Sequence, residues 1–90
     1  MPGVTRYGDM SCGIDCPPTP AIECSSNVFV NGLGVVRVGD AFQPHCKHGR
    51  VVVRGSSSVY VNGRQVCRRG DLLSCGDRVC EGSGNVFAGG

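Results

Sequence analysis

A four-residue motif, Arg-x-Gly-Asp, recurs at a fixed spacing and constrains the fold more than any other feature of the chain. It ends at Asp9, Asp40 and Asp71, so consecutive copies lie 31 residues apart. A period of this length is typical of architectures in which each copy is one structural unit. A two-stranded unit cannot bury its own apolar face, whereas three units packed around one axis share a core. One domain, residues 1–90, is therefore predicted to contain three pseudo-symmetric units, approximately residues 1–31, 32–62 and 63–90.

Each unit carries the pattern of a β-hairpin. The segments Val28-Phe29-Val30 and Val59-Tyr60-Val61 alternate around an aromatic residue, and each is followed by Asn-Gly. Asn31-Gly32 and Asn62-Gly63 accept the positive φ angles of a type I′ turn, so both are predicted turn tips. A third copy begins at Val86-Phe87, after a shorter loop, and the 15 glycines and 5 prolines interrupt every helical window. The predicted fold is all-β without significant helix, a small conical three-sided β prism of three hairpin repeats.

The composition leaves little material for a large core. A chain of 90 residues with three Phe, two Tyr and no Trp must pack chiefly small β-branched side chains, and so short a chain keeps much apolar surface near water. We therefore expect a metal, disulfides or a partner to supply stability. The net charge of +2 is scattered along the sequence and forms no basic stripe, which argues against nucleic-acid binding.

Cysteine usage favours metal binding over a disulfide framework. The seven cysteines are an odd number, and the N-terminus lacks the apolar run of a signal peptide, so we expect synthesis in the cytoplasm with reduced thiols. Export by a non-classical route would still allow oxidation, so disulfides stay open as the alternative. Cys67 matches Val36 one repeat earlier, and Cys80 matches Ile22 and Val53. Both thiols are therefore predicted to be small buried hydrophobes.

The loops that follow the three Gly-Asp pairs carry metal ligands. If the units are related by a three-fold axis, these loops converge and bring their ligands to one place. The candidate ligands are Cys12 or Cys16 in the first loop, His45 and His48 in the second and Cys75 in the third, with Cys46 as an alternative. Four sulfur and nitrogen donors in a closed shell favour one tetrahedral, structural Zn²⁺. A Cys/His nucleophile would need a third orienting group, so we predict no enzyme and no catalytic residue.

Several segments together resemble the PAAR-repeat proteins of phage tails and type VI secretion systems. They are the repeated x-Val-x-Arg-x-Gly-Asp motif, Cys16-Pro17-Pro18-Thr19-Pro20, Pro44-His45, and Ser74-Cys75-Gly76 leading to Gly82-Ser83-Gly84-Asn85-Val86-Phe87. The resemblance covers essentially the whole chain. It implies a structural cone that caps a trimeric β-helical spike protein, one cap per trimer, and sharpens the spike for puncturing a cell envelope. A single chain with three similar units can match a three-fold partner.

The resemblance also implies a zinc ion near the point of the cone. Relatives usually bind it with three histidines and one cysteine, and His45, His48 and Cys75 match that set by position. Relatives have a histidine in the first loop, where this chain has cysteines, so a Cys2His2 site is implied. We favour Cys12 as its first ligand, because Cys12 lies three residues after Asp9, much as Cys75 lies four after Asp71.

The resemblance further implies where the cap works and what it meets. It would be made in the cytoplasm, incorporated into a phage tail or a secretion apparatus, and delivered outward to the target envelope. Effector or tail proteins and a transient contact with the target membrane are the other expected partners. Two alternatives stay open: a disulfide-stapled extracellular binding module, and a small zinc hydrolase with an open metal position.

Overall fold

The computed structural model describes residues 2–13, 17–45 and 48–89, with the backbone alone for His45 and His48. Within those ranges the chain forms strands and no helix, which confirms the all-β prediction. The strands are β1 (Ser11–Cys12), β2 (Phe29–Val30), β3 (Leu33–Gly34), β4 (Ala41–His45), β5 (His48–Val51), β6 (Tyr60–Val61), β7 (Arg64–Gln65) and β8 (Arg78–Val79). They pair antiparallel as β1 with β8, β2 with β3, β4 with β5 and β6 with β7. In the part of the chain described, no helix could cross a membrane.

Both predicted Asn-Gly turns are present. Asn31 and Gly32 have φ angles of 54° and 79° and connect β2 to β3. Asn62 and Gly63 have φ angles of 55° and 78° and connect β6 to β7. Positive φ is sterically costly for most residues but accessible to glycine and tolerated by asparagine, which is why this pair closes a tight hairpin. The two hairpins are therefore set by their turn residues.

The third hairpin is completed by the start of the chain. Gly3 pairs with Phe87, in the same way that Gly34 pairs with Phe29 in the first hairpin. The Val4 N–H donates to the Val86 carbonyl at 2.9 Å. Gly3 lies against the backbone of residue 83 so closely that a Cβ at this position would be 2.0 Å from the Ser83 carbonyl oxygen. The two ends of the described chain are thus joined in one hairpin.

Three backbone hydrogen bonds form a closed cycle between the repeats. The Thr5 N–H donates to the Cys67 carbonyl at 3.0 Å, the Cys67 N–H to the Val36 carbonyl at 2.9 Å, and the Val36 N–H to the Thr5 carbonyl at 3.0 Å. These residues occupy equivalent positions 31 residues apart and are each 0 % exposed. Each repeat therefore donates to one neighbour and accepts from the other, as units arranged around a common centre would.

The Arg-x-Gly-Asp motif forms the same compact turn in every repeat. In the second copy, the backbone N–H and Nε of Arg37 donate to Asp40 Oδ2 at 2.9 and 2.8 Å, and Nη2 donates to Oδ1 at 3.0 Å. The glycine between them, Gly39, has a φ of 93°, which a residue with a Cβ rarely adopts. The same three bonds recur between Arg6 and Asp9 and between Arg68 and Asp71. The repeated motif is structural.

Two small apolar clusters make up the core of the described chain. The cluster nearer the loops contains Ala21, Val36, Phe42, Val52, Cys67, Leu73 and Val79. The cluster beneath the hairpins contains Val4, Val35, Val66 and Ala88, with half-buried valines packed against it. Valine is the commonest residue in both, so small β-branched side chains pack this core as the composition predicted.

Candidate functional site

A fully buried arginine joins the three loops that follow Gly-Asp. Arg50, in β5, donates from Nη1 to Asp77 Oδ2 at 2.8 Å and from Nη2 to Ser11 Oγ at 2.7 Å. Its side chain is 0 % exposed. Ser11 belongs to the first loop and Asp77 to the third, so all three loops meet at one guanidinium. A buried charge is stable only where it is compensated, and the Asp77 carboxylate provides that compensation.

The two histidines of the second loop occupy opposite backbone positions in the β4–β5 pair. His45 ends β4, His48 begins β5, and their Cα atoms are register partners in this antiparallel pair. Residues opposite each other on adjacent strands are within side-chain reach. The alternative ligand Cys46 lies outside the described residues, as does Cys16 of the first loop. The backbone thus keeps His45 and His48 together at the end of the second loop.

Cys75, the ligand predicted in the third loop, is an exposed free thiol. It lies in a turn where Gly76 has a φ of 93° and donates its N–H to the Leu73 carbonyl at 3.0 Å. Asp77, two residues further on, is the carboxylate that binds Arg50. Among the side chains that the structure describes, no three His, Cys, Asp or Glu residues are grouped as a metal site. The four predicted ligands therefore stay a prediction.

Cys12, the fourth predicted ligand, is joined to Cys80 by a disulfide. A cysteine in a disulfide has no thiolate to offer a metal, so Cys12 is a candidate ligand only in the reduced protein. The prediction that Cys80 is a buried hydrophobe is wrong, because Cys80 is exposed. Its equivalents in the other repeats, Ile22 and Val53, are 39 % and 50 % exposed, so the repeat alignment holds and the whole position lies on the outer surface.

Cys67 behaves as predicted and is a buried, unreactive thiol. It is 0 % exposed at the centre of the backbone cycle. Burial raises the pKa of the Cys67 thiol to about 12, and a hydrogen bond with Thr5 lowers it by a smaller amount. A thiol with so high a pKa is protonated at neutral pH and is a poor nucleophile or metal ligand. Cys67 therefore fills space, like Val36 at the equivalent position.

Cys67→Val is expected to make the protein more resistant to alkali. Below about pH 9 both the folded and the unfolded thiol are protonated, and between pH 9 and 12 only the unfolded thiol ionises. Stability is therefore lost as pH rises through this window, on the order of 3 kcal/mol by pH 11. Denaturant unfolding at pH 8 and pH 11 measures the loss in both proteins. If the valine variant loses as much stability between pH 8 and pH 11 as the parent, the loss does not come from the buried Cys67 thiol.

Three aromatic side chains at equivalent positions are exposed. Phe29 in β2, Tyr60 in β6 and Phe87 in the third hairpin are 59 %, 56 % and 49 % exposed. Their valine neighbours Val30 and Val61 pack partly against the core, as alternation along a strand requires. We call these three side chains the aromatic ring. Exposed apolar groups that recur at equivalent positions are typical of binding surfaces.

Side-chain hydrogen bonds join each pair of neighbouring hairpins that carry the aromatic ring. The Asn31 amide donates to Asn85 Oδ1 at 3.0 Å, which links the first hairpin to the third. The Asn62 amide donates to Asn27 Oδ1 at 3.0 Å, which links the second hairpin to the first. Ser56 Oγ donates to the Gly89 carbonyl oxygen, which links the second hairpin to the third. Each of the three hairpins that carry the aromatic ring is therefore hydrogen-bonded to both of the others.

Sequence reasoning missed two features of this site. The aromatic ring could have been recognised in the sequence, because each of its aromatic residues stands between or after valines at a matching position of its repeat. The burial of Arg50 could not be recognised in this way, since it depends on Asp77, which lies 27 residues away in the sequence.

Comparison with known proteins assigns the chain to a family. A family model described as PAAR motif matches residues 43–90, which is just over half of the chain. No curated protein matches the chain. The matched segment contains the second and third loops, Arg50 and two of the three residues of the aromatic ring, Tyr60 and Phe87. The chain is a member of the PAAR-motif family.

Proposed function

We propose that this protein is a structural spike tip, a conical three-sided β prism that caps a trimeric β-helical spike and sharpens it for puncturing a cell envelope. The observation that carries the proposal is the aromatic ring: Phe29, Tyr60 and Phe87 are exposed at equivalent positions of three cyclically bonded repeats. A single chain with three equivalent contacts can engage three identical subunits without leaving one unmatched. Family membership supports the same role.

The ring has the chemistry of an interface centre. Aromatic side chains bury a large area on binding and are enriched among residues that dominate affinity. The polar collar around them, Asn31, Asn62 and Asn85, offers amides that are already held in place by hydrogen bonds. The ordering cost on docking is therefore small, because the collar does not need to rearrange. We place the spike contact at this surface.

The three loops that follow the Gly-Asp pairs are proposed to hold one structural Zn²⁺. Arg50 binds Ser11 of the first loop and Asp77 of the third, and this meeting of the three loops supports a shared site. Imidazole and thiolate donors are those that zinc prefers, and His45, His48 and Cys75 would supply three of them. The fourth would be Cys12 in the reduced protein, with Cys16 and Cys46 as the alternatives. Bound zinc would lock the loops as a rigid point.

The cap is further proposed to act at a defined place in a delivery machine. It would be assembled on the spike in the cytoplasm, as part of a phage tail or a type VI secretion apparatus, and delivered outward with it. During puncture it would contact the target membrane briefly, and its sides are open to effector or tail proteins. No catalytic step is assigned to it.

The disulfide-stapled binding module is the second candidate, favoured by the Cys12–Cys80 bond. Of the cysteines that the structure describes, Cys24, Cys67 and Cys75 are free, so this form has one staple among them. A stapled module would keep its fold after metal removal and lose it on reduction. A zinc-pinned cap would show the opposite behaviour, so comparing a chelator with a reducing agent separates the two.

Binding to a trimeric spike fragment tests the proposed role. In size-exclusion chromatography with light scattering, we expect one cap per trimer. The triple variant Phe29→Ser, Tyr60→Ser and Phe87→Ser is expected to weaken binding at least 100-fold, because each truncated interface aromatic typically removes 1 kcal/mol or more. The matched control is Ile22→Ser with Val53→Ser, which changes exposed apolar residues elsewhere. Failure of the folded parent to bind, or equal weakening by the control, would sink the proposal.

A further inference from the structure

We propose that Cys12 and Cys80 form a redox-controlled clip, which locks the first loop to the third after the protein leaves a reducing compartment, with a glutathione-class disulfide as the oxidant. The two Cα atoms are 5.7 Å apart, inside the range that a disulfide spans without movement of the backbone. The bond joins residues 68 positions apart in the sequence. It therefore links two loops that are otherwise connected only through the rest of the chain and by noncovalent contacts.

Backbone pairing holds the two cysteines in place independently of the sulfur bond. Ser11 and Val79 are register partners in the β1–β8 ladder, and the Cys80 N–H donates to the Met10 carbonyl at 3.0 Å. The Met10 N–H in turn donates to Glu81 Oε1 at 2.8 Å. Reduction leaves these hydrogen bonds in place, so the thiols stay within reach of each other. The clip can open and close without refolding of the loops.

A polar cleft gives a small reagent access to Cys80. The cleft has a volume of about 260 Å³ and is lined by Arg6, Asp9, Arg69, Cys80, Glu81 and Gly82. Arg69 and Cys80 are both exposed, whereas Cys12 is half-buried. Arg69 lines the same cleft and offers a guanidinium to a carboxylate-bearing tripeptide such as glutathione. Cys80 is therefore the sulfur that reacts first.

The exchange proceeds in two balanced steps. The Cys80 thiolate attacks one sulfur of glutathione disulfide, which forms a mixed disulfide and releases one glutathione thiolate that takes up a proton. The Cys12 thiolate then attacks the Cys80 sulfur, which forms the Cys12–Cys80 bond and releases the second glutathione thiolate, also protonated. The protein loses two thiol protons and two electrons, and one glutathione disulfide becomes two glutathione molecules. Excess reduced glutathione runs the steps in reverse.

The clip adds stability by joining the first loop to the third. Joining distant residues restricts the unfolded chain, and longer closed segments gain more in the chain-entropy account. The clip also takes the Cys12 thiolate away from any metal, so closing the clip and binding metal through Cys12 exclude each other. The proposal does not rest on the spike-tip role, since its readouts need neither a spike nor a bound metal.

The test treats the purified protein with glutathione disulfide or with excess reduced glutathione. Peptide mapping after alkylation is expected to find the peptides of Cys12 and Cys80 linked in the first sample and separate in the second. With a chelator present in both samples, so that neither carries zinc, the oxidised protein is expected to melt on the order of 10 °C or more above the reduced protein. Both readouts should return to the reduced values when the oxidised sample is treated with reduced glutathione.

Two variants decide whether Cys12 and Cys80 are responsible for the linked peptide and for the rise in melting temperature. Cys80→Val copies Val53, the exposed residue at the equivalent position, and is expected to abolish both the linked peptide and the rise in melting temperature. Cys24→Ser changes a free thiol outside both the pair and the proposed zinc site and should keep both. The proposal is overturned if the parent forms no Cys12–Cys80 link, or if Cys80→Val still shows the oxidant-dependent rise.

Discussion

Chelating the metal is expected to unfold the reduced protein. Purified under reducing conditions without chelator, the chain should carry about one zinc ion, because one closed four-ligand site is proposed. A structural zinc contributes on the order of 10 kcal/mol of apparent folding free energy, which equals or exceeds the whole stability of a typical small domain. Metal analysis gives the stoichiometry, and circular dichroism during addition of a chelator follows the loss of structure. Returning zinc should restore the folded signal.

Variants at the proposed ligands separate the site from a general effect of the chelator. His48→Ala and Cys75→Ala are expected to lose the zinc, whereas Cys24→Ser, a described free thiol outside the three loops, should keep it. Under reducing conditions Cys12→Ser is expected to lose zinc and Cys16→Ser to retain it. The reverse result would identify Cys16 as the first ligand. A metal-free parent that is equally stable with and without chelator would contradict the site itself.

The repeat was the part of the fold that the sequence made predictable. Asn31-Gly32 and Asn62-Gly63 are turns because their residue types tolerate positive φ locally, whatever the rest of the chain does. The Arg-x-Gly-Asp turn is likewise local, since its partners are three residues apart. Features with local causes can be found by inspecting a short window of sequence.

The features that escaped prediction have causes distant in the sequence. The third hairpin closes through Gly3 and Phe87, and no window of sequence contains both. Cys80 was expected to be buried because its equivalents are apolar, yet apolar residues at this position face outward in all three repeats. Repeat equivalence predicted which residues share an environment. It did not predict what that environment is, because the packing of neighbouring units decides it.

Replacing the buried carboxylate Asp40 with asparagine is expected to be the most damaging single change outside the metal loops. Asp40 is 2 % exposed and accepts from two arginines, from the backbone N–H, Nε and Nη2 of Arg37 and from Arg64 Nη2 at 2.7 Å. An asparagine amide has no charge and turns one acceptor into a donor that faces these donors. Removing one partner of a buried ion pair costs about 3–5 kcal/mol, which lowers the melting temperature by roughly 15 °C or more. Thermal unfolding followed by circular dichroism measures the change.

The other repeats supply matched controls for this prediction. Asp9 makes the same three bonds with Arg6 but lacks the equivalent of Arg64, because Leu33 stands at that position of its repeat. Asp9→Asn is therefore expected to destabilise less than Asp40→Asn. Arg64→Leu copies Leu33 and removes only the outer pair, whose arginine is 41 % exposed, so it should cost no more than about 1 kcal/mol. Equal losses for Asp9→Asn and Asp40→Asn would show that Arg64 adds nothing and that the repeated three-bond turn alone accounts for the stability lost at this position.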